Sequence, residues 1–407
     1  MNMAATQGIE EQLRLAKRKV AALAVAQAIQ GSVAPVSISL GGLAGYQLLA
    51  DDKSFATLPV TGFNLGTACG AALIAILSRM IGRKYSFMAG AVLGGCGGTL
   101  AAIALMRQSF WLFALALMLI GIASGFNQKI RFAAADVSPS FYKPKAISWI
   151  LVGGIVSAVL GPQIAIWLKD ALPTVPFAGA YMALIPLCAI VFVLFAFLQL
   201  PDMRKHEPGT AAPRPLSEIV KTQRFVTGMI CGISTYALMT FMMTGAPLAM
   251  VYGCGISTEL STLGIQWHVL AMFGPSFFTG MLIIRFGAEK VVAMGLVILM
   301  GCALVAHAGI ALWNFWGALI LLGVGWNFGF IGATSIVASS YRPEEADKVQ
   351  GFHDIVLFGF VAMSSFLSGK VYFAFGWSVM TFVIWPVTGL CLILLALQVR
   401  KAARRTI

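Results

Sequence analysis

Apolar runs of about 20 residues alternate with short polar breaks along almost the entire chain. A run of that length is what an α-helix needs to cross the hydrocarbon core of a bilayer. The runs predict twelve spans, at about 20–43, 55–78, 85–106, 109–128, 146–168, 177–200, 225–250, 259–284, 291–313, 315–339, 350–369 and 376–398. The longest break, "PDMRKHEPGTAAPRPLSEIVKTQR", is rich in proline and charge, which marks a linker. The expected organisation is an N-terminal segment 1–19, a six-helix bundle 20–200, a linker 201–224, a second six-helix bundle 225–398 and a basic tail 399–407. The fold class is therefore all-α integral membrane, with twelve transmembrane helices in two bundles. No cleavable signal peptide is expected. "IEEQLRLAKRK" (9–19) reads as a short amphipathic helix on the membrane surface.

Composition agrees with the pattern. The 407 residues are 59% hydrophobic and 11% charged, against roughly 25% charged in soluble domains. A net charge of +13 raises nucleic acid as a partner, but the distribution of the cations removes it. Of the 28 Lys and Arg, all but Lys53, Arg107, Lys169 and Lys370 fall at the termini or in breaks after even-numbered spans. That asymmetry is the positive-inside signal, and it places both termini in the cytoplasm. The seven cysteines are an odd number, mostly within apolar runs, so no disulfide framework is implied.

The two halves echo each other. "LSRMIGRKYSFMAG" (77–90) after the second span parallels "IIRFGAEKVVAMG" (283–295) after the eighth. "FYKPKAIS" (141–148) likewise parallels "SYRPEEADKVQG" (340–351). Parallel six-helix repeats are a transporter architecture. Together with the Gly82-Arg83-Lys84 loop, this arrangement resembles the major facilitator superfamily over nearly the whole chain. The signature loop of that family, G-x-L-A-D-R-x-G-R-K, is degenerate here. Arg79 stands where the aspartate is expected, which puts the loop's usual charge-pair gate in doubt. The resemblance implies a monomeric carrier rather than an enzyme, with two bundles that rock about a cavity between them, in a bacterial inner membrane.

The candidate chemistry lies in spans seven and eight. Met239 and Met243, and then His268 and Met272, are each four residues apart and so share a helix face. Random placement of 19 Met in 407 residues already yields about one such Met pair, and Met is a common core filler. An imidazole inside a membrane span is costlier and is a functional candidate by default. A neutral imidazole bonded within the bundle remains the alternative. If the four form a site, three thioethers and one imidazole select a soft monovalent ion such as Cu(I). The pattern M-x-x-x-M followed by H-x-x-x-M resembles the CcoA-like branch of the superfamily. That resemblance implies a copper importer supplying cbb-type cytochrome oxidase assembly, with Met239, Met243, His268 and Met272 as ligands. It further implies copper as cargo rather than cofactor, a cytoplasmic copper acceptor or chaperone as partner, and Cys231 and Cys254 as a metal relay or redox pair.

Relatives without the Met/His set are similar to riboflavin importers, so an organic substrate is the alternative. "WILVGGIVSAVLGPQI" (149–164) adds a second rival, because it resembles the glycine-rich motif of drug/proton antiporters; glycines also simply allow close helix approach. His353 and Asp354, where span eleven begins, are candidates for ion coupling or an interfacial pair. Gln27, Gln30, Asn64, Asn127 and Gln128 are candidates to line a cavity or to bond between helices. Glu259 and the isolated His307 read as a solvated helix end and a structural imidazole.

Overall fold

The computed structural model describes residues 3–139, 141–200 and 214–403. Most of the predicted linker, 201–213, and the last four residues with Arg404 and Arg405 lie outside them. The described residues form helices joined by short turns, with no strand among them. Eleven helices are long and apolar enough to span a bilayer, and a bent pair brings the number to twelve. Large apolar side chains face outward, among them Trp111 at 71%, Trp167 at 74% and Ile284 at 88% exposure. Outward faces of this kind are stable only against lipid.

The chain divides into two compact units, one of Met1–Ala50 and Pro59–Lys205, the other of Asp51–Leu58 and His206–Ile407. In the first unit, α1 (Met3–Gly31) and α2 (Val33–Leu48) form one long run broken at Ser32. The predicted surface helix at 9–19 is thus not separate. Residues 9–30 contain neither Gly nor Pro, so nothing stops the helix before the span begins. There follow α3 (Leu58–Met80), α4 (Arg83–Met106), α5 (Phe110–Asn127), α6 (Ile130–Asp136), α7 (Lys143–Leu168), α8 (Ala178–Met182) and α9 (Leu184–Phe197). The glycines of the 149–164 stretch pack α7 on α1 and α2: a Cβ at Gly161 would stand 2.4 Å from Ser32 O, and one at Gly153 2.5 Å from Ala24 O. Close helix approach accounts for them.

The second unit holds α10 (Leu216–Ile219), α11 (Gln223–Leu248), α12 (Thr258–Phe273), α13 (Ser276–Phe286), α14 (Ala288–His307), α15 (Leu312–Ala338), α16 (Ala346–Phe382) and α17 (Ile384–Ala403). Helix α16 absorbs the predicted break between the last two spans, turning at Gly376 with φ +77°. The repeat is visible in backbone geometry. Gly82 (φ +82°, ψ 159°) precedes α4 and Gly287 (φ +88°, ψ 152°) precedes α14. Both hold a left-handed turn that glycine alone adopts without strain.

Two charged clusters fix loops of the second unit. Lys370 on α16 donates to Ser54 Oγ at 2.7 Å and lies 3.6 Å from the Phe55 ring centroid, a cation–π contact that seats the 51–58 turn. At the end of the linker, Arg214 grips Glu345 with Nε to Oε1 at 2.8 Å and Nη2 to Oε2 at 2.8 Å. The backbone N–H of Arg342 adds a 2.8 Å bond, and Lys348 donates to Arg214 O. The Glu345 side chain is fully buried. Its bonds to the Arg214 guanidinium, then to backbone N–H groups, hold the carboxyl well below the usual carboxylate range.

Candidate functional site

The polar features of the second unit's interior converge on α15. Three rungs tie it to α12: Trp316 Nε1–H donates to Leu260 O at 3.0 Å, His268 Nδ1–H donates to Leu319 O at 2.8 Å, and Asn327 Nδ2–H donates to Met272 O at 2.6 Å. The last rung sits where the span predicted at 259–284 breaks into α12 and α13, with a bend of 41°. Pro275 has no N–H for the helix ladder, so the break leaves carbonyls of the preceding turn unpaired. Asn327, itself fully buried, supplies a replacement donor. Its amide also donates to Ser276 Oγ at 2.7 Å, and its Oδ1 accepts from Thr279 Oγ1 at 2.5 Å. Asn327 went unnoticed in the sequence. An amide within "LLGVGWNFGFIGA", together with "FGPS" in the span paired with it, was the available signal.

Immediately before Asn327 begins an aromatic cluster. Trp326 and Phe330 lie four apart on α15 with their rings near parallel (5.2 Å, 17°). Tyr236 of α11 meets both edge-on, at 5.4 and 5.1 Å, and reaches Phe358 of α16 at 6.1 Å. The indole N–H of Trp326 is buried and has no hydrogen-bond partner. These four aromatics also went unremarked, because an aromatic in a membrane span reads as ordinary core until neighbouring helices bring several together.

Met239, Met243, His268 and Met272 are all buried in this unit, at 2%, 5%, 0% and 8% exposure. His268 is turned to α15 by its Leu319 bond, and its Nε2 has no partner. The neighbourhood is tight, since a Cβ at Gly323 would stand 2.5 Å from His268 O. Cys231 is buried with its Sγ 3.9 Å from Cys391 O. Cys254 follows a turn of π-helix at the far end of α11, where burial pushes its thiol up. The two are separated by about 35 Å at 1.5 Å per residue, beyond any disulfide. His353 Nδ1 lies 3.3 Å from Asp354 Oδ1, with the imidazole buried and the carboxylate half-exposed. His307 Nδ1 lies 3.2 Å from Thr381 Oγ1. Among the described residues, no group of three or more His, Cys, Asp or Glu is placed to hold a metal ion.

In the first unit, Gln30 and Asn127 border a cavity of about 10 Å³ walled by Phe87, Phe126 and Phe195. Gln30 Oε1 and Asn127 Oδ1 are both buried without partners, and the space suits about one water. Arg83 of the degenerate loop is not idle. It reaches α6 and pairs with Asp136 at 2.6 Å.

A helical membrane chain of two compact units with repeated glycine turns has the architecture of a membrane carrier. The chain belongs to the Major Facilitator Superfamily, whose model matches residues 21–363. It is 44% identical, over 95% of its length and 96% of the other's, to the riboflavin transporter RfnT of Brucella anthropi. It is 27% identical, over 89% of its length, to the uncharacterized MFS-type transporters YdeG and YddS of Bacillus subtilis. The first relation overturns the copper reading. That relative is named for riboflavin and not for a metal, so copper import, a copper chaperone partner and a role in oxidase assembly are withdrawn. The methionine pair that suggested them is what this methionine content produces by chance.

Proposed function

We propose that the chain imports riboflavin, or a flavin close to it, across the inner membrane, working as a monomer with both termini in the cytoplasm. The 44% identity to a riboflavin transporter over nearly the full chain carries the proposal. The aromatic cluster supports it chemically. An isoalloxazine is a flat aromatic tricycle, and the partly exposed rings of Tyr236 and Phe330 offer it aromatic contact. Stacked aromatic pairs contribute about 0.5–1.5 kcal/mol beyond the area they bury. In this reading Met239, Met243 and Met272 are packing and His268 is a strut to α15. His353 with Asp354 is the candidate pair for carrying a coupled proton.

The test is uptake of labelled riboflavin by a riboflavin-auxotrophic bacterium that lacks its own importer. The parent should restore growth and accumulate label, with no change on adding or chelating copper. Trp326→Ala and Tyr236→Ala at matched membrane levels should lower uptake at least about tenfold. No accumulation by a correctly inserted parent would overturn the flavin reading. Full uptake by both variants would overturn the assignment to the cluster.

A further inference from the structure

A second cavity lies in the second unit, and it is not the aromatic cluster. It has a volume of about 750 Å³ and runs along α11, α16 and α17. The lining is apolar except for Ser234 and Ser364, and Ser364 Oγ is already bonded to Val361 O at 2.8 Å. On α16 the cavity is lined by Val356, Phe360, Met363 and Leu367, which at 100° per residue form one stripe. Phe358, which meets Tyr236, lies on the opposite face of that helix. The stripe is open, with Phe360, Met363 and Leu367 at 45%, 48% and 42% exposure. An apolar groove open along a membrane-spanning helix suits hydrocarbon chains better than water.

Its end near the linker is charged. Val220 and Phe225 line that end, and exposed Lys221 adjoins them. Successive spans alternate in direction, so α17, the sixth span of the unit, runs antiparallel to α11, the first, and the two meet at Cys231 and Cys391. The last turn of α17, with exposed Arg400 and Lys401, is therefore level with Lys221. Arg224 is spent on Glu289 at 3.1 Å, and Glu218 on α10 offsets one of the three remaining cations.

We propose that this groove is a lipid site. It holds an acyl chain of an anionic phospholipid whose headgroup sits at Lys221, Arg400 and Lys401. The site is independent of the cargo, and its volume lies within the range of well-formed ligand pockets.

The test reconstitutes the full chain in phosphatidylcholine vesicles with a photoactivatable phosphatidylglycerol that carries a diazirine on its acyl chain, and maps the labelled peptides. Labelling should concentrate in 225–241 and 352–371, above other exposed apolar faces such as those at Trp111 and Ile284. Ala237→Trp, which fills the groove, should abolish that labelling and leave the rest; Met363→Trp at the open rim serves the same end if the first variant does not fold. Unlabelled phosphatidylglycerol should compete better than phosphatidylcholine, and each of Lys221→Gln, Arg400→Gln and Lys401→Gln should cut the preference roughly fivefold. Even labelling of all lipid-facing helices, or concentrated labelling that both tryptophan variants leave unchanged, would overturn the site. Equal competition by phosphatidylcholine would overturn the anionic headgroup.

Discussion

The second span of each unit meets its neighbour in a different way. In the first unit α3 is one uninterrupted helix of 23 residues, locked to α5 backbone against backbone. A Cβ at Gly66 would come within 2.1 Å of Met118 O, at Gly70 within 2.1 Å of Ile122 O and at Gly121 within 2.1 Å of Phe63 O. In the second unit the corresponding span breaks into α12 and α13, and α15 holds the break by side chains. Glycine-to-backbone contact excludes everything between two helices, so it gives a fixed plate. A joint bridged by an amide and two hydroxyls keeps its carbonyls satisfied while bent. The same repeat thus holds one span straight and the other bent.

The largest effect should come from breaking the plate. Gly70→Ala places a methyl against the Ile122 backbone, which cannot swing aside as a side chain would. Overpacking of this kind costs about 1–3 kcal/mol or more, and we expect little monodisperse protein by fluorescence-detected size exclusion. Gly280→Ala on α13, where the new Cβ would meet nothing within 4 Å, should leave the elution profile unchanged. Comparable losses in both would show that the two joints do not differ.

Asn327→Leu comes next. It removes the bonds to Met272 O, Ser276 and Thr279, and at about 0.6 kcal/mol per interhelical bond the loss is roughly 2 kcal/mol. The melting temperature in detergent should fall, and riboflavin uptake should fall with it as the aromatic cluster loses its support. Asn127→Leu in the first unit, whose Oδ1 has no partner to lose, should change the melting temperature less.

Smaller still is the linker clamp, which is sensitive to pH. The Glu345 carboxyl is depressed in the folded chain, chiefly by Arg214. Its contribution is fully present above the unfolded carboxylate value of about 4.3 and is lost as pH falls through the lower folded value. The stability difference between the parent and Glu345→Gln should therefore be flat from neutral pH down to about 5 and shrink below it. A difference that vanishes on approaching neutrality from below would contradict the clamp.

The smallest effect belongs to the first unit's loop. Arg83 is 10% and Asp136 50% exposed, and a pair with one partner in solvent contributes about 0–1 kcal/mol. Asp136→Asn should shift the melting temperature by little. A large shift would mean the degenerate loop retains a gating charge pair.

Much of this was written along the chain. Spans of about 20 apolar residues follow from bilayer thickness, and their count follows from the chain's length. The repeat is legible in "GRK" and "GAEK", and the two left-handed glycines that precede α4 and α14 bear it out in the backbone. The substrate was misread because the four residues singled out were the chemically unusual ones. A histidine and three methionines draw notice singly, whereas Trp326, Phe330 and Phe358 become unusual only when α15 and α16 bring their ring centroids to 5.4, 5.1 and 6.1 Å from that of Tyr236 on α11.

The apolar runs determined by themselves that the chain lies in a membrane, since solvation by lipid acts on each residue one at a time, and the echoed loop motifs marked its two halves. Which span bends, which amide bridges the bend and which rings form a cluster depend on side chains far apart in sequence. His268 meets Leu319, 51 residues on, and Tyr236 meets Trp326 from another helix. Pairings of that kind are settled by packing, where one glycine more or less sets how near two backbones come, and so only the tertiary structure decided them.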